Sequence, residues 1–204
     1  MSVRVKICGI TRLDDALYAC EQGADALGFN FWPGSRRFIA PEAAAGIISR
    51  LPPFVTPVGL FVNQAPSEVL HAAALARVQA LQLHGDEEPR DCTGHLLPVI
   101  KAFRVGRPAD LAAIPRYGTV AAVLLDGPSE GYGGSGATFD WEAARGAAGD
   151  KPLVLAGGLT PDNVAAAVHA LRPWAVDVAS GVESSPGVKD PEKVARFIRA
   201  AKEA

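Results

Sequence analysis

The feature that most constrains the fold of this 204-residue sequence is an eightfold alternation between two kinds of segment. Short apolar segments rich in β-branched residues, typical of buried strands, alternate with alanine-rich amphipathic segments typical of helices. The predicted strands span residues 3–8, 26–31, 55–62, 80–84, 97–103, 120–126, 153–156 and 175–179. The predicted helices begin near Thr11, Pro41, Pro66, Glu87, Ala109, Phe139, Thr160 and Asp190. Strict alternation implies a parallel sheet, and eight repeats favour a closed α/β barrel of the (β/α)8, or TIM, type over an open sheet.

The chain shows no sign of division into separate domains. Its 204 residues, 49% of them hydrophobic, suffice for one sizeable core. No linker, charge block or low-complexity tract interrupts the alternation. We therefore expect residues 1–204 to form a single barrel domain.

Charge and cysteine content exclude several classes of function. Twenty basic and 22 acidic side chains give a net charge of −2, too small to attract nucleic acid or an anionic membrane. Charged residues interrupt the apolar ones near the N-terminus, which argues against a signal peptide, and no apolar run approaches the length of a membrane span. Cys8, Cys20 and Cys92 lack the number and spacing of a disulfide framework or a zinc site. These features predict a cytoplasmic protein.

Cys8 stands where the first predicted strand gives way to a helix. Gly9 ends the strand, and Thr11 is expected to cap the helix that follows. In α/β barrels and open α/β sheets, ligands bind at the carboxyl ends of the strands. Cys8 is thus either a reactive group at such an end or a small buried residue that fills a gap.

Glycine-rich and polar residues gather after the predicted strands, which a barrel would bring together on one rim. The loop after the seventh strand contains Gly157 and Gly158, and the loop after the eighth contains Ser180 and Gly181. Glycines ahead of a helix let backbone N–H groups approach an anion, and these two loops are the usual phosphate site of barrels. A single glycine pair could be no more than a tight turn, but two such loops favour a phosphorylated small-molecule substrate.

Several motifs together resemble one family. They are KICGIT from Lys6, GFNFWPGSRR from Gly28, QLHG from Gln82, LLD ending at Asp126, GYGGSG from Gly131, AGGLTPDNV from Ala156 and DVASGVE from Asp177. From about residue 3 to about residue 202 the chain resembles phosphoribosylanthranilate isomerase of tryptophan biosynthesis. This resemblance implies a barrel of the ribulose-phosphate-binding type.

The resemblance implies an Amadori rearrangement by general acid and base catalysis. N-(5-phosphoribosyl)anthranilate would become 1-(2-carboxyphenylamino)-1-deoxyribulose 5-phosphate. The family's base and acid correspond here to Cys8 and Asp126. A free thiol ionises near pH ~8.5, and we expect an electropositive barrel mouth to lower the pKa of Cys8. The aspartate acts as an acid only if its surroundings keep it protonated.

The resemblance also implies substrate-binding roles for three further side chains. Arg37 matches the arginine that holds the anthranilate carboxylate, a role suited to a guanidinium, while Arg36 fits a solvated surface charge. Asp177 matches an aspartate that reaches the sugar hydroxyls. His84 matches a histidine after the fourth strand, although a histidine there is often only hydrogen-bonded locally.

The loop that contains Gly133, Gly134 and Ser135 resembles a mobile lid that could close over the substrate. No metal is expected, because ring opening and proton transfer are acid–base steps and no His, Asp or Glu cluster has ligand spacing. No nicotinamide or flavin cofactor is expected either, because the glycines near Gly131 do not open a helix directly after a strand.

Three alternative functions are considered. They are another phosphosugar isomerase, a different barrel enzyme and a noncatalytic phosphosugar sensor. A bifunctional isomerase of histidine and tryptophan intermediates would carry an aspartate as base at the first strand, so Cys8 argues against it. An indole-glycerol-phosphate or thiamin-phosphate synthase would need a lysine or a diphosphate site that the strand ends lack. The presence of both Cys8 and Asp126 argues against a sensor. The sequence leaves a monomer and a homodimer equally open.

Overall fold

Eight parallel strands close into a barrel in the order of the sequence. The structure is a computed structural model that describes residues 2–106, 108–127 and 140–204. The strands are β1 (Arg4–Cys8), β2 (Ala26–Asn30), β3 (Thr56–Phe61), β4 (Ala80–Leu83), β5 (Val99–Arg104), β6 (Ala122–Asp126), β7 (Leu153–Leu155) and β8 (Ala175–Val178). β1 pairs with both β2 and β8, and this pairing closes the sheet. The predicted α/β barrel is confirmed.

Five of the predicted helices are α-helices that pack outside the barrel. They are α1 (Leu13–Glu21), α2 (Pro41–Ile48), α3 (Pro66–Ala76), α4 (Val164–Leu171) and α5 (Pro191–Glu203). A proline in the first turn begins α2, α3 and α5, a position where its missing N–H costs no hydrogen bond. Within the described residues, no helix is long and apolar enough to cross a membrane.

The connections after β4, β5 and β6 differ from the prediction. In the parts of these connections that the structure describes there is no α-helix. They contain the 3-10 helices Pro89–Cys92, Pro108–Arg116 and Glu142–Ala144. Gly94 and Gly146 have positive φ angles soon after the first and third of these, and Pro115 lies inside the second. Such residues end or weaken an α-helix. Phe139, the predicted start of the third, lies outside the described residues.

Strand side chains alternate between two compartments, as the period of a strand requires. One set faces the helices and forms the main core, with Ile7, Phe29 and Phe61 fully buried. The other set faces the barrel interior. Small and apolar interior side chains form a separate cluster that fills the middle of the barrel, namely Ala102, Ala122, Leu124, Val154, Ala156 and Ala175. Towards the carboxyl ends of the strands, the interior side chains include the buried polar residues Gln82, Asp126 and Asp177.

A small hairpin follows the barrel and reaches back over its rim. β9 (Glu183–Ser185) pairs antiparallel with β10 (Val188–Lys189) just before α5. Asp190 caps α5, accepting a hydrogen bond from the backbone N–H of Lys193 at 3.1 Å. Thr11 does not cap α1, because its Oγ1 donates to the carbonyl of Gly187 at 2.5 Å. This bond ties the hairpin to the loop after β1.

Candidate active site

A cavity of about 300 Å³ opens at the carboxyl ends of the barrel strands. It is lined by Cys8, Gly9, Asn30, Trp32, Gly34, Ser35, Arg36, Arg37, Leu60, Gln82, His84, Asp126, Ala156, Gly157, Gly158, Leu159, Asp177, Val178, Ala179, Ser180 and Gly181. The cavity therefore brings together every residue predicted for catalysis, substrate binding and phosphate binding. The predicted lid residues Gly133, Gly134 and Ser135 lie outside the described residues.

Cys8 is buried at the end of β1, with its side chain inside the barrel. Its neighbour Gly28 on β2 makes room for the thiol, because a Cβ there would lie 2.8 Å from Sγ. Burial raises the pKa of Cys8, the nearby ammonium groups of Lys6 and Lys189 lower it, and Asp177 raises it. The net effect is a raised pKa, against our expectation that the barrel mouth would lower it. The loss of hydration and the carboxylate of Asp177 outweigh the two cations.

Lys6 links Cys8 to Asp177 inside the barrel. Its Nζ donates to Oδ1 of Asp177 at 2.8 Å, and it also hydrogen-bonds the Cys8 side chain. Burial alone would lower the pKa of Lys6, but the two acidic partners raise it. The sequence analysis missed this lysine. The alternation of side chains along a strand could have found it. Lys6 lies two residues before Cys8 on β1, so both side chains point to the same face of the strand.

Asp126 ends β6 and is held by a histidine from β4's carboxyl end. His84 Nε2 lies 3.1 Å from Asp126 Oδ2, and Gln82 Nε2 lies 2.8 Å from His84 Nδ1. All three side chains are buried. The strand alternation explains the arrangement, because Gln82 and His84 share the interior face of β4. His84 thus lines the cavity while both of its ring nitrogens have protein partners.

Arg37 reaches the cavity from the loop after β2 and is clamped by the hairpin. Its Nε and Nη2 donate to Oε1 and Oε2 of Glu183 at 2.8 and 2.6 Å. The Arg37 side chain packs directly against Gly9, where a Cβ would overlap it. Arg36, by contrast, is exposed, which agrees with its interpretation as a surface charge.

Glu183 carries a second buried cation, Lys189. Lys189 Nζ donates to Glu183 Oε1 at 2.9 Å and to the carbonyl of Cys8 at 2.6 Å. Burial alone would raise the pKa of Glu183, but hydrogen bonds from Arg37 and Lys189 bring it below its ordinary value. Burial lowers the pKa of Lys189 more than Glu183 raises it. No local pattern indicates this cluster, because Arg37 is 146 residues away from Glu183 in the chain.

The two glycine loops pack tightly against each other and their neighbours. Gly157 and Gly158 have φ angles of +80° and +63°, which other residues rarely adopt. A Cβ on Gly157 would overlap Gly127, and one on Gly181 would overlap the carbonyl of Leu159. These glycines allow both the sharp turns and a close backbone approach, so the geometry suits an anion at the cavity wall.

The cavity therefore joins a thiol, a carboxyl group and a guanidinium beside two glycine loops. This set can exchange protons with a substrate that carries anionic groups at its ends. Among residues 2–106, 108–127 and 140–204, no cluster of three or more His, Cys, Asp or Glu side chains could hold a metal ion.

Comparisons with known proteins show the family of this chain. A family model described as N-(5'phosphoribosyl)anthranilate (PRA) isomerase matches residues 5–200. The N-(5'-phosphoribosyl)anthranilate isomerase of Geobacter sulfurreducens is 56% identical over 201 residues, covering 98% of this chain and 98% of the relative.

Solved structures are similar over the whole barrel. Phosphoribosyl anthranilate isomerase from Thermotoga maritima has a TM-score of 0.93 and 47% identity, covering 99% of this chain and 100% of that one. A second structure of that protein, described as monomers made from a dimeric enzyme, has a TM-score of 0.89, 42% identity and the same coverage. A third structure, of such an isomerase with reduced 1-(o-carboxyphenylamino)-1-deoxyribulose 5-phosphate, has a TM-score of 0.89, 44% identity and again the same coverage. The chain belongs to the N-(5'-phosphoribosyl)anthranilate isomerase family.

Proposed function

We propose that Cys8 and Asp126 are the base and the acid with which this chain carries out the aldose–ketose isomerisation of its family. The reaction is the Amadori rearrangement of N-(5-phosphoribosyl)anthranilate in tryptophan biosynthesis. The observation that carries the assignment is that a thiol from β1 and a carboxyl group from β6 line the same cavity. Arg37 and the two glycine loops border that cavity and suit the two anionic ends of this substrate.

The reaction begins with opening of the sugar ring. Asp126 gives its proton to the ring oxygen as the bond from that oxygen to C1′ breaks. The lone pair of the anthranilate nitrogen then forms a double bond to C1′, which yields a protonated imine. A carboxyl group fixed by His84 has a defined orientation for this transfer.

Proton removal follows at the neighbouring carbon. The Cys8 thiolate takes the proton from C2′, and the electron pair moves through the C1′–C2′ bond to the nitrogen, which gives an enolamine. Protonation at C1′ and loss of the C2′ hydroxyl proton then give the ketone. Lys6, hydrogen-bonded to the Cys8 side chain, favours the charged form of the base.

The remaining side chains hold the substrate. Arg37 presents a guanidinium already oriented by Glu183, which suits bidentate binding of the anthranilate carboxylate. Asp177 faces the cavity with one oxygen on Lys6 and can accept from a ribose hydroxyl. The phosphate meets the loops that contain Gly157, Gly158 and Gly181.

A steady-state assay with freshly generated phosphoribosylanthranilate tests the assignment. The loss of anthranilate-type fluorescence is followed for wild type and for Asp126→Asn, with Asp162→Asn as a control, because Asp162 is an exposed carboxylate beyond β7. We expect rapid turnover that falls by ~10²-fold or more only in Asp126→Asn. Turnover that is unchanged in that variant would remove Asp126 from the role of acid.

We propose that two copies of the chain form a homodimer rather than remaining monomeric. The relative from Thermotoga maritima is described as dimeric. Phe54 and Leu96 are 96% and 94% exposed here, and large apolar side chains this exposed are candidates for an interface. Sedimentation at micromolar concentration should give the mass of a dimer, and Phe54→Ser or Leu96→Ser should give a monomer. A wild-type monomer would refute the proposal.

We propose a cytoplasmic location. All three cysteines are free thiols, as is usual in a reducing compartment. Cell fractionation with a tagged chain should find the protein with cytoplasmic markers, and enrichment in another fraction would contradict this proposal.

A further inference from the structure

Gln82 is a buried polar residue that the mechanism above does not use. Its side chain is 0% exposed and lines the cavity from β4. Its Nε2 lies 2.8 Å from Nδ1 of His84, while its Oε1 has no hydrogen-bond partner among the described residues. The hydrogen bond to the imidazole is thus what this amide contributes.

Burial of this amide costs stability. A buried acceptor without a partner costs ~1–3 kcal/mol, whereas a methionine or leucine of similar size would have no such cost. The cluster of Ala102, Ala122 and Leu124 below the cavity shows that the interior accommodates apolar side chains. Side chains that break a local stability rule are found mainly at functional sites. The contact with His84 is therefore the feature of Gln82 that requires explanation.

The contact fixes where the imidazole carries its proton. An amide N–H can only donate, so Nδ1 of His84 must be the acceptor and carry no hydrogen. The proton of a neutral ring then lies on Nε2, which faces Asp126 Oδ2 at 3.1 Å. His84 donates to one oxygen of Asp126 and leaves the other oxygen of the carboxyl group to hold a proton.

An imidazolium in the same place would have the opposite effect. A positive charge in contact with a carboxyl group favours the carboxylate, which has no proton to give to the ring oxygen of the sugar. Protonation of Nδ1 would also place two donors face to face at Gln82.

We infer that Gln82 is a positioning residue that holds His84 as the neutral Nε2–H tautomer and so keeps Asp126 able to act as the acid. This inference rests on the proposed role of Asp126. It assigns to His84 the orientation of the acid, in addition to any contact with substrate. Gln82 itself acts only through the histidine.

Imidazole nitrogen NMR tests the tautomer without any need for activity. In wild-type protein labelled with ¹⁵N-histidine at neutral pH, the His84 resonances are assigned by their loss in His84→Asn. We expect Nδ1 in the unprotonated range and Nε2 in the protonated range. Resonances of the Nδ1–H tautomer or of imidazolium in wild type would overturn the inference.

Two substitutions test the consequence for catalysis. In Gln82→Glu the new carboxylate accepts from Nδ1–H, which produces either imidazolium or a bare Nε2 that takes the Asp126 proton. We expect kcat to fall by ~10²-fold or more with KM within about threefold. Gln82→Met removes the donor to Nδ1 without adding a charge, so the tautomer is no longer held and kcat should fall by a smaller factor, ~10-fold. Gln79→Glu, at the exposed position just before β4, is the matched control.

The outcomes separate this inference from the proposed function. Wild-type kcat in Gln82→Glu or in Gln82→Met would overturn the positioning role. An equal loss in both variants would overturn it too, because the loss would then follow from packing and not from the tautomer. Unchanged turnover in Asp126→Asn would instead overturn the acid assignment, and with it the catalytic half of this inference. The wild-type NMR result stands even if either Gln82 variant fails to fold, because its assignment requires only His84→Asn.

Discussion

Replacing Glu183 by glutamine should destabilise the barrel and loosen the substrate site together. Glu183 accepts three hydrogen bonds from two cations, at 2.8 and 2.6 Å from Arg37 and at 2.9 Å from Lys189. The three side chains are 5%, 12% and 2% exposed, so little solvent screens them. Glu183→Gln keeps the shape of the side chain and removes its charge.

The size of the effect follows from burial. Hydrogen bonds to charged groups contribute ~1.5–3 kcal/mol each, but the carboxylate also costs free energy to bury, and that cost disappears with the charge. Breaking a buried ion pair from one side typically costs ~3–5 kcal/mol. We therefore expect a loss of ~3–5 kcal/mol in the free energy of unfolding.

The loss should depend on pH in a defined direction. Arg37 and Lys189 hold the pKa of Glu183 below its ordinary value in the folded chain, despite the opposing effect of burial. A depressed carboxyl pKa contributes stability above the unfolded value of ~4.3 and loses it as the pH falls through the folded pKa. The difference between wild type and variant should be equal at pH 7 and pH 5.5, and should shrink below about pH 4.

Urea unfolding followed by circular dichroism and tryptophan fluorescence measures the difference, provided that refolding is reversible and both probes coincide. Glu203→Gln, at an exposed position of α5, is the matched control and should change stability by less than ~0.5 kcal/mol. A loss below ~1 kcal/mol at pH 7, or a loss of the same size at every pH, would refute the reasoning.

Three further predictions concern the chemistry of the cavity. Cys8→Ser should keep KM but lose ~10²-fold or more in kcat, because a hydroxyl is a far poorer base near neutral pH; normal turnover in the same fluorescence assay would contradict this. Arg37→Ala should raise KM by ~10-fold or more with a smaller change in kcat, whereas an equal effect of Arg36→Ala would point to the exposed arginine instead. The pKa of Cys8 should rise in Lys6→Met and fall in Asp177→Asn. It is measured from the pH dependence of Cys8 alkylation by iodoacetamide, followed by peptide mass spectrometry. Shifts of the same sign in both variants would be inconsistent with the charges that surround the thiol.

The features predictable from sequence are those encoded locally. Cys8 could be placed at a strand end because the alternation before it and Gly9 after it lie within a few residues. The same holds for Asp126 and for the glycine loops. The prediction of α-helices in the three 3-10 connections is wrong. The alanine-rich composition there favours an α-helix, but Pro115 and nearby glycines oppose one.

The pairing between groups was not predictable, because it is long-range. Lys6 and Asp177 are 171 residues apart, and Arg37 and Glu183 are 146 apart. The raised pKa of Cys8 has the same origin, since it depends on burial and on charges from distant strands. The alternation of side chains along a strand could have predicted that Lys6 lies beside Cys8 and that Gln82 lies beside His84. It could not have predicted their long-range partners Asp177 and Asp126.

The pairings also explain why a cavity with several cations does not make its thiol strongly acidic. Each buried cation near Cys8 is already matched by a carboxylate, Lys6 by Asp177 and Lys189 by Glu183. Matched pairs produce little net field, so the loss of hydration dominates at the sulfur. Since Asp177 is also the proposed partner of the ribose hydroxyls, any change in its hydrogen bonds alters how strongly Lys6 favours the thiolate. Binding of the sugar and ionisation of the base are thus coupled through a single ammonium group.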